Sequence, residues 1–320
     1  MAVMVAVMAH SSTATPILRI GSRGSPLALA QAGEARRRLA AACGLALERI
    51  EIVTIRTTGD AIQDRPLAET GGKGLFTKEI EEALLSGAVD LAVHSAKDMP
   101  TLLPAGLTLS AFLPREDPRD AFISRKAKSL SELRDGAVVG TASLRRQALL
   151  KHLRPDLTIV PLRGNVETRL RKLETEDIDA TVLAVAGLKR LGLFAAATAV
   201  FEIDVFLPAV AQGAIGIETR VDDIRTAALV AAVNDADAAT AVTAERAFLA
   251  VLDGSCRTPI AGHARLSDGA LRFRGMIAKT DGSAAVEVAR AGAPAAAAAL
   301  GAEAPHELKR RAGPGFFEQA

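Results

Sequence analysis

The chain has 320 residues, of which 49% are hydrophobic and 24% charged, which is enough apolar material for the cores of two or three globular domains. Lys and Arg number 39 against 37 Asp and Glu, and aromatic residues are only 3% with no Trp or Tyr, so a protein that mainly coats nucleic acid is excluded. Two cysteines, Cys43 and Cys256, are too few for a disulfide framework and too far apart for a paired metal or redox motif, which indicates a reducing compartment.

The first 16 residues are predicted to be an extension outside the fold. Their apolar start, MAVMVAVMA, lacks the basic segment of a secretion signal and is far shorter than the roughly 20 residues that span a membrane. The rest of the chain has no apolar run of membrane length. We therefore expect a cytoplasmic protein that does not bind membranes.

The first block of predicted elements begins at residue 17 and alternates strands with helices. Ser25 followed by Pro26 predicts a helix start, because serine caps free backbone N–H groups and proline fits the first turn. In order, the predicted elements are a strand at 17–20, a helix from Pro26 to Gly44, a β-branched strand at 50–55, a polar loop at 57–74, a helix from about Phe76 to Gly87 and a strand at 89–93.

A second block with the same alternation begins near Asp120. Its predicted elements are a strand at 137–140, a helix capped by Ser143 that runs to about Leu153, a strand at 157–162, a helix capped by Asn165 and a strand at 180–185. Two such blocks predict two α/β domains, each with a parallel sheet that is covered on both faces.

The last part of the chain predicts a smaller α+β domain. An alanine-rich helix at about 238–252 is followed by a loop at 253–262 and by alternating, strand-like segments to about 290. Residues 293–300 are low-complexity alanine, and a helix-like stretch follows them.

Polar residues follow the predicted strands of both α/β blocks. Ligands of open parallel sheets bind beyond the carboxyl ends of the strands, and arginines near capped helix starts favour planar carboxylates there. The sequence therefore predicts an anion-binding cleft between two domains. The residues at these positions are Arg23, Arg56, Asp60, Lys97, Asp98, Thr141, Ser143, Arg145, Arg146, Arg163 and Arg169.

Several of these residues have a plainer interpretation. On residue type alone, Arg145 and Arg146 are about as well explained as a solvated helix face. Lys97 and Asp98 could form a surface ion pair, which is usually worth little. His94, at the end of an apolar strand, is better explained as a packed histidine than as a ligand.

The cysteines and glycines alone indicate no cofactor. Arg257 would favour the thiolate of Cys256, but taken alone both Cys256 and Cys43 are best explained as small buried residues. The glycines at 71–74 lack the spacing of a nucleotide-binding loop, and the histidines lack metal-ligand spacing, so we predict neither a nucleotide site nor a metal site.

A series of segments, taken together and in order, resembles the hydroxymethylbilane synthase family, also called porphobilinogen deaminase. HSAKD, SLRRQ and LRGN are each distinctive, and the resemblance runs from about residue 17 to 265. The matching segments are RIGSRGSPLALAQA (19–32), GGKGLFTKEIEEALL (71–85), DLAVHSAKDMP (90–100), REDPRDAFIS (115–124), VGTASLRRQ (139–147), LRGNVETRL (162–170), LAVAGLKRLGL (183–193), LPAVAQGAIGIE (207–218) and DGSCRTPIAG (253–262).

The resemblance implies a transferase that joins four porphobilinogen molecules head to tail, releases ammonia at each step and finally releases hydroxymethylbilane. It further implies a dipyrromethane cofactor, made from the same substrate and bound through a thioether to Cys256, which overturns the plainer interpretation of that cysteine. The family's catalytic aspartate falls on Asp98. Its cofactor-binding residues fall on Ser95, Lys97, Thr141, Ser143, Arg145, Arg146, Asp60 and the loop residue Lys73, and its substrate-binding arginines on Arg23, Arg163, Arg169 and Arg190.

The resemblance also implies the architecture, with two α/β domains of the type II periplasmic-binding-protein kind and a smaller α+β C-terminal domain that bears the cofactor cysteine. We expect a monomer that binds a small substrate and no nucleic acid. The expected domains are 17–113 with 214–232, then 119–208, then 236–320.

The chain departs from the family pattern in three places. Thr58 stands where many members have Arg, and Glu69-Thr70 stand where others have Lys-Val. Ala211 replaces a common Gly in LPAVAQG. These differences concern loop details rather than the assignment.

The anion cleft fits this chemistry, because porphobilinogen carries acetate and propionate groups that fixed cations can hold. Loss of ammonia leaves a cationic azafulvene, and a buried carboxylate such as Asp98 could protonate the leaving amine and then stabilise that cation. The loop 57–74 could act as a lid. The competing interpretation is a non-catalytic anion-binding or effector-sensing module with the same two-lobed fold, which would need neither an acid among the cations nor a nearby thiol.

Overall fold

A computed structural model of the chain describes residues 16–61, 76–252, 259–313 and 316, for all but the side chains of Asp60 and Ala61. Most of the predicted N-terminal extension and of the predicted loop 57–74 therefore lies outside the described residues. Within the described ranges, no helix is long and apolar enough to cross a membrane.

The first α/β unit contains a five-stranded sheet with the order β2-β1-β3-β10-β4. Its helix α1 begins as predicted, with Ser25 Oγ accepting a hydrogen bond from Ala28 N at 3.3 Å. The elements are β1 (Leu18–Arg23), α1 (Pro26–Cys43), β2 (Ile50–Ile55), α2 (Thr58–Ala61), α3 (Lys78–Leu85), β3 (Leu91–Ser95) and β4 (Leu107–Phe112). The short helix α2 corrects the prediction that the chain is a loop from residue 57 onwards.

The second α/β unit repeats this architecture with the strand order β7-β6-β8-β5-β9. The caps predicted at Ser143 and Asn165 are confirmed, since each side chain accepts a backbone hydrogen bond from the first turn of its helix. The elements are β5 (Asp120–Ser124), β6 (Val138–Gly140), α4 (Leu144–Leu153), β7 (Thr158–Val160), α5 (Val166–Thr175), β8 (Ala180–Ala184), α6 (Val185–Arg190) and β9 (Ala199–Val200).

Neither sheet is purely parallel, which corrects the prediction from the alternating pattern. The chain returns from the second unit to the first as β10 (Ile215–Arg220) and α7 (Ile224–Ala231), and β10 lies antiparallel to β3 and β4. In the second sheet, β5 enters from the first unit and lies antiparallel to β8 and β9. A strand that arrives from the other unit enters the sheet from the edge where the two units meet, and so runs against its neighbours.

The two segments that connect the α/β units cross close to each other. Gly213 has φ +89°, and a Cβ there would lie 2.3 Å from the Glu116 carbonyl oxygen, so this approach requires glycine. Nearby, Arg115 forms a buried ion pair with Glu245, whose carboxylate also accepts hydrogen bonds from Ala211 N and Ala264 N. The crossing is thereby attached to the third unit.

The third unit is a small α+β domain with an antiparallel sheet, β11-β12-β13. Its elements are α8 (Ala236–Val251), β11 (Ile260–Ser267), β12 (Ala270–Ala278), β13 (Ala285–Gly292) and α9 (Ala297–Ala312). The predicted loop ends early, because β11 begins at Ile260, and part of the alanine run forms the first turn of α9. Phe248 and Phe273 meet in the core with ring centroids 5.0 Å apart.

The two expected α/β domains and the smaller α+β domain are thus confirmed as an architecture. The strands of the first sheet lie within 17–113 and 214–232, those of the second within 119–208, and the third sheet lies beyond 236. We propose these ranges as the domain boundaries.

The close packing of α9 on α8 predicts opposite effects for alanine at two helical glycines. At Gly301 a Cβ would lie 2.0 Å from the Ala244 carbonyl oxygen, so Gly301→Ala should destabilise the fold by about 1–3 kcal/mol. Gly33, inside α1, has only Arg37 Nη1 nearby at 3.5 Å, so Gly33→Ala should stabilise by about 0.5–1 kcal/mol. Urea unfolding measures both variants, and an unchanged midpoint for Gly301→Ala would contradict the described packing of the two helices.

Candidate active site

The carboxylate of Asp120, the first residue of β5, is the centre of the hydrogen-bond network at the cleft edge of the second sheet. It is completely buried. Its Oδ2 accepts from Arg145 Nη2 at 2.7 Å, and its Oδ1 accepts from Arg146 Nη2 at 2.7 Å. Oδ1 also accepts from Gln212 Nε2 at 3.1 Å. One carboxylate therefore holds two guanidinium groups and an amide.

The electrostatics of this cluster favour ionised Asp120. Burial alone would raise its pKa, but the charges of Arg145 and Arg146 outweigh burial and lower the pKa of Asp120 to about 2. Burial also lowers the pKa of Arg145, with Asp120 opposing that shift and Arg146 adding to it. Arg145 and Arg146 are each 6% exposed, so the interpretation of this pair as a solvated helix face is wrong.

Gln212 connects the cluster to the first domain. Its Nε2 donates to the Pro118 carbonyl at 2.7 Å as well as to Asp120, and its Oε1 accepts from Lys97 Nζ at 3.3 Å. Gln212 is 1% exposed and lies in the second crossing segment. A side chain of the hinge region thus joins the cleft walls of both α/β domains.

Lys97 lies in the turn that follows β3, and its side chain is accessible from the cleft although protein groups surround it. This enclosure lowers the pKa of Lys97 to about 8, and the charge of Arg146 acts in the same direction, whereas Asp98 opposes it. The hydrogen bond of Nζ goes to Gln212, so Lys97 belongs to the interdomain network and not to an isolated surface pair.

Asp98 ends the same turn, which begins with a hydrogen bond from Ala96 N to the Ala214 carbonyl at 3.0 Å. The Asp98 side chain is exposed to the cleft and not buried as we expected. Its charge interacts with Lys97 beside it and with Arg169 on α5 of the second domain. The carboxylate is therefore surrounded by cations from both sides of the cleft.

Arg169 is one of these cations and is poorly compensated. Its pKa is lowered to about 10, mainly by burial and also by the charges of Arg146 and Arg163, while the charge of Asp98 acts against this shift. Its Nε donates to the Gly164 carbonyl at 2.7 Å, which fixes the side chain at the start of α5. Among the residues that the structure describes, this part of the cleft therefore has more positive than negative charge.

A pocket that Asp98 helps to line contains two more of the expected site residues. Arg23 and Ser95 line it together with Phe76 and Gln31. The guanidinium carbon of Arg23 lies 4.2 Å from the Phe76 ring centroid, a cation–π contact. Gln31 Nε2 donates to Ser95 Oγ at 2.8 Å. The pocket offers a cation and a hydroxyl next to the candidate catalytic carboxylate.

Thr141 and Ser143 shape the start of α4 in the second domain. Ser143 N donates to Thr141 Oγ1 at 3.1 Å, and Ser143 Oγ accepts from Arg146 N at 3.4 Å. Both residues follow β6, as the rule for carboxyl ends predicted. They orient the helix whose first turn carries Arg145 and Arg146.

Arg190 is placed differently from the other expected substrate-binding arginines. Its Nε donates to Glu34 of α1 at 3.2 Å, and its Nη2 donates to the Gly213 carbonyl at 3.1 Å. The side chain is 8% exposed. Among the described contacts, Arg190 links the two α/β domains and meets none of the cations around Asp98.

Three expected site residues cannot be placed, since Lys73, Cys256 and the side chain of Asp60 lie outside the described residues. Arg56 is exposed after β2. Cys43 is half-buried, which corrects the prediction of a core residue, and its Sγ lies 3.6 Å from the Leu229 carbonyl oxygen. It is on the outer part of α1, where that helix meets α7.

His94 is packed as predicted, with Nε2 lying 3.1 Å from Glu218 Oε2 in the interior. In the described ranges, no group of three His, Cys, Asp or Glu side chains is arranged to hold a metal ion.

The sequence analysis missed Asp120 and Gln212 as site residues. Asp120 begins an antiparallel strand opposite Ala184, the last residue of β8, and Gln212 shortly precedes an antiparallel strand whose first residue, Ile215, lies opposite Ser95. Residues before an antiparallel strand reach the same edge as the carboxyl ends of its neighbours. Asp120 lies within REDPRDAFIS, one of the segments that carry the family resemblance. It begins its strand, however, and a rule that considers residues after parallel strands does not identify it.

Comparison with known proteins gives matches over nearly the whole chain. Residues 18–228 match the family model of the porphobilinogen deaminase dipyromethane cofactor binding domain, and residues 239–310 match that of the porphobilinogen deaminase C-terminal domain. The chain belongs to the porphobilinogen deaminase family. The resemblance seen in the sequence segments is thereby confirmed.

Relatives within the porphobilinogen deaminase family are close in sequence and length. The porphobilinogen deaminase of Nitrobacter winogradskyi is 63% identical over 309 residues, covering 96% of this chain and 98% of that protein. That of Paracoccus denitrificans is 58% identical over 301 residues, covering 94% and 96%. A solved structure of the methionine-binding protein MetQ aligns with 67% of this chain and 89% of its own, at 20% identity and a TM-score of 0.44.

The described residues fit a bound dipyrromethane, which carries several carboxylates. Arg145 Nε is buried and has no hydrogen-bond partner among the described residues. The pKa values of Lys97 and Arg169 are both lowered by burial, so their charge is incompletely compensated by protein groups. Carboxylates placed between these side chains would supply the missing acceptors and negative charge.

Ala211 has φ +59°, in the left-handed region that favours glycine. The hydrogen bond from Ala211 N to Glu245, at 2.5 Å, holds the alanine in this conformation.

Removal of the Asp120 charge should damage the fold as well as the cleft. Asp120→Asn would leave Arg145 and Arg146 buried without their counter-ion, so we expect a loss of about 3–5 kcal/mol of stability in urea unfolding near neutral pH. Because the folded-state pKa is lowered, this contribution is present above about pH 4 and is lost as the pH falls towards 2. Glu176→Gln, which breaks the surface pair with Lys172, should change stability by no more than about 0.5 kcal/mol. Equal effects of the two variants would contradict the network.

Proposed function

We propose that this chain is a hydroxymethylbilane synthase, the transferase that condenses four porphobilinogen molecules head to tail with release of ammonia and then releases hydroxymethylbilane for tetrapyrrole and heme biosynthesis. Membership of the porphobilinogen deaminase family supports the activity. The structural observation that supports the proposal is the position of Asp98, an accessible carboxylate near incompletely compensated cations of both α/β domains.

We further propose that the chain binds its dipyrromethane cofactor through a thioether to Cys256. The cofactor, when bound, supplies the pyrrole carbon to which the first substrate is joined. The residues proposed to hold its carboxylates or orient them are Ser95, Lys97, Thr141, Ser143, Arg145 and Arg146, with Asp60 and Lys73 contributed by the segment around residues 60–75. Asp120 and Gln212 fix the positions of the arginines and of Lys97.

The proposed role of Asp98 is to transfer a proton and then stabilise a cation. The leaving amine of porphobilinogen takes a proton from the carboxyl group, and the C–N bond breaks to release ammonia. The substrate is left as an azafulvene cation, and the carboxylate then lies beside the positive charge and can accept a hydrogen bond from the pyrrole N–H. The accessible position of Asp98 in the cleft suits both steps.

The arginines have the proposed role of binding the substrate's acetate and propionate groups. Arg163 and Arg169 lie on the second-domain side of Asp98, and Arg23 lies on the first-domain side against Phe76. A guanidinium group binds a carboxylate through two parallel hydrogen bonds, which fixes its orientation. We keep Arg190 as a proposed substrate ligand, although binding would require it to leave Glu34.

The finer properties of the protein belong to the same proposal. We propose a monomer in the cytoplasm whose partner is the small-molecule substrate porphobilinogen, and we propose neither nucleic-acid nor membrane binding. Balanced charge and low aromatic content support the proposal that the protein does not bind nucleic acid.

Incubation of purified protein with porphobilinogen tests the activity directly. Uroporphyrin colour should develop after oxidation, because hydroxymethylbilane cyclises once it is released. A non-catalytic anion-binding module would bind porphobilinogen without consuming it, and no colour with no loss of substrate would contradict the proposal.

Asp98→Asn should retain the fold and lose turnover. The amide keeps the shape but supplies neither the proton nor the negative charge, so we expect a rate loss of roughly 10²–10⁴. Melting temperature should be unchanged, because the side chain is exposed. Asp135→Asn, at a fully exposed aspartate that is not among the proposed cleft residues, is the control and should turn over normally. Normal turnover in Asp98→Asn would remove Asp98 from the mechanism.

The thioether to Cys256 predicts a mass increment on the purified chain. The native protein should weigh more than its sequence by two linked pyrrole units, withstand reductants and give colour with an aldehyde reagent for pyrroles. Cys256→Ser should fold but lose the increment and nearly all activity, whereas Cys43→Ser should keep both. An active enzyme with the bare sequence mass, or an increment on Cys43, would contradict this assignment.

A further inference from the structure

A buried pair of titratable side chains lies behind the Asp98 turn. His94 is next to the last residue of β3, and its Nε2 lies 3.1 Å from Oε2 of Glu218 on the neighbouring strand β10. Glu218 is completely buried, and its second oxygen, Oε1, has no hydrogen-bond partner among the described residues. The proposed mechanism does not use either residue.

Two more charged groups face this pair from other elements. Glu81 on α3 is 7% exposed, and burial together with the charge of Glu218 raises its pKa. Arg246 on α8 of the third domain interacts electrostatically with Glu218, and burial lowers its pKa while Glu218 opposes that shift. Glu218 thus lies beside His94 and within the electrostatic influence of Arg246, whereas the pKa of Glu81 is raised.

A gain in folding stability does not explain why His94 and Glu218 are buried together. The desolvation of buried charges costs about as much free energy as their attraction returns, and the unpartnered oxygen of Glu218 adds a further cost. Buried charged pairs do, however, fix geometry, because moving either partner leaves the other unpaired in a low-dielectric interior.

The contacts of His94, Glu218 and Arg246 fix the conformation of the turn that contains Asp98. His94 precedes the turn and lines the same pocket as Asp98. Arg246 Nη2 donates to the carbonyl oxygen of Pro100, two residues beyond Asp98, at 2.7 Å. His94 contacts Glu218 before the turn, and Arg246 binds the Pro100 carbonyl beyond it, so these contacts hold the chain on both sides of Asp98.

We propose that His94, Glu218 and Arg246 are positioning residues that hold the Asp98 carboxylate in its place in the cleft. Arg246 belongs to α8, so the same contacts fix Asp98 relative to this helix of the third domain. This inference rests on the proposed function, because it assigns a purpose to the position of Asp98.

The test compares turnover with substrate binding in conservative variants. Glu218→Gln and His94→Leu should lower kcat roughly 10- to 100-fold through misplacement of Asp98. KM should stay within about twofold, because the substrate-binding cations are untouched. His94→Gln should recover most of the rate, since its amide can donate to Glu218 Oε2 as the imidazole does. Rates are expressed per chain carrying the dipyrromethane increment, counted by intact mass.

Glu81→Gln is the matched control in the same buried cluster. Glu81 lies on α3 and is not one of the groups proposed to hold the Asp98 turn, so kcat should equal that of the wild type. Because burial raises the folded-state pKa, ionisation of Glu81 costs stability as the pH rises above the usual 4.5, and Glu81→Gln should gain melting temperature there and not below.

The outcomes separate this inference from the proposed function. Wild-type kcat in both Glu218→Gln and His94→Leu would overturn the positioning role, and so would an equal loss of rate in Glu81→Gln and Glu218→Gln. If His94→Leu does not fold, Glu218→Gln against Glu81→Gln decides alone. Absence of hydroxymethylbilane with the wild-type protein would instead overturn the proposed function.

Discussion

The burial of one carboxylate between two arginines is the interaction on which the cleft depends. Asp120 compensates only part of the charge of Arg145 and Arg146, and it does so from the strand that enters the second domain. Gln212 binds the same carboxylate from the second crossing segment and contacts Lys97 of the first domain. The same few hydrogen bonds therefore determine where the cleft cations, the crossing segments and the turn after β3 lie.

The incomplete compensation of these charges gives the cleft its chemical character. The charged forms of Lys97 and Arg169 are less favourable in the cleft than in water, because burial lowers the pKa of both groups. A bound ligand with several carboxylates would stabilise these charged forms, whereas a neutral ligand would not. Asp98 lies near these cations, and this position supports its proposed role in proton transfer to a substrate that is bound by its carboxylates.

The features that local sequence determines were predicted well. Helix starts at Ser25, Ser143 and Asn165 are confirmed because a capping side chain acts within its own first turn. The functions of Asp120 and Gln212 were not predicted, since both depend on strands that run against the others after the chain has crossed between domains. The exposure of Asp98 and the interdomain contact of Arg190 also depend on domain packing, which periodicity does not encode. The family segments supplied the catalytic residue types, and the structure supplied the partners that hold them.

The covalent growth of the product on the protein is the most direct test of the account. Purified, dipyrromethane-loaded protein is given less than four equivalents of porphobilinogen, denatured, and weighed, while the released ammonia is counted. The account predicts a ladder of masses separated by single pyrrole units, with one ammonia released for each unit added. Unchanged protein masses with no ammonia, after porphobilinogen has demonstrably bound, would contradict it and leave a binding protein with the same fold.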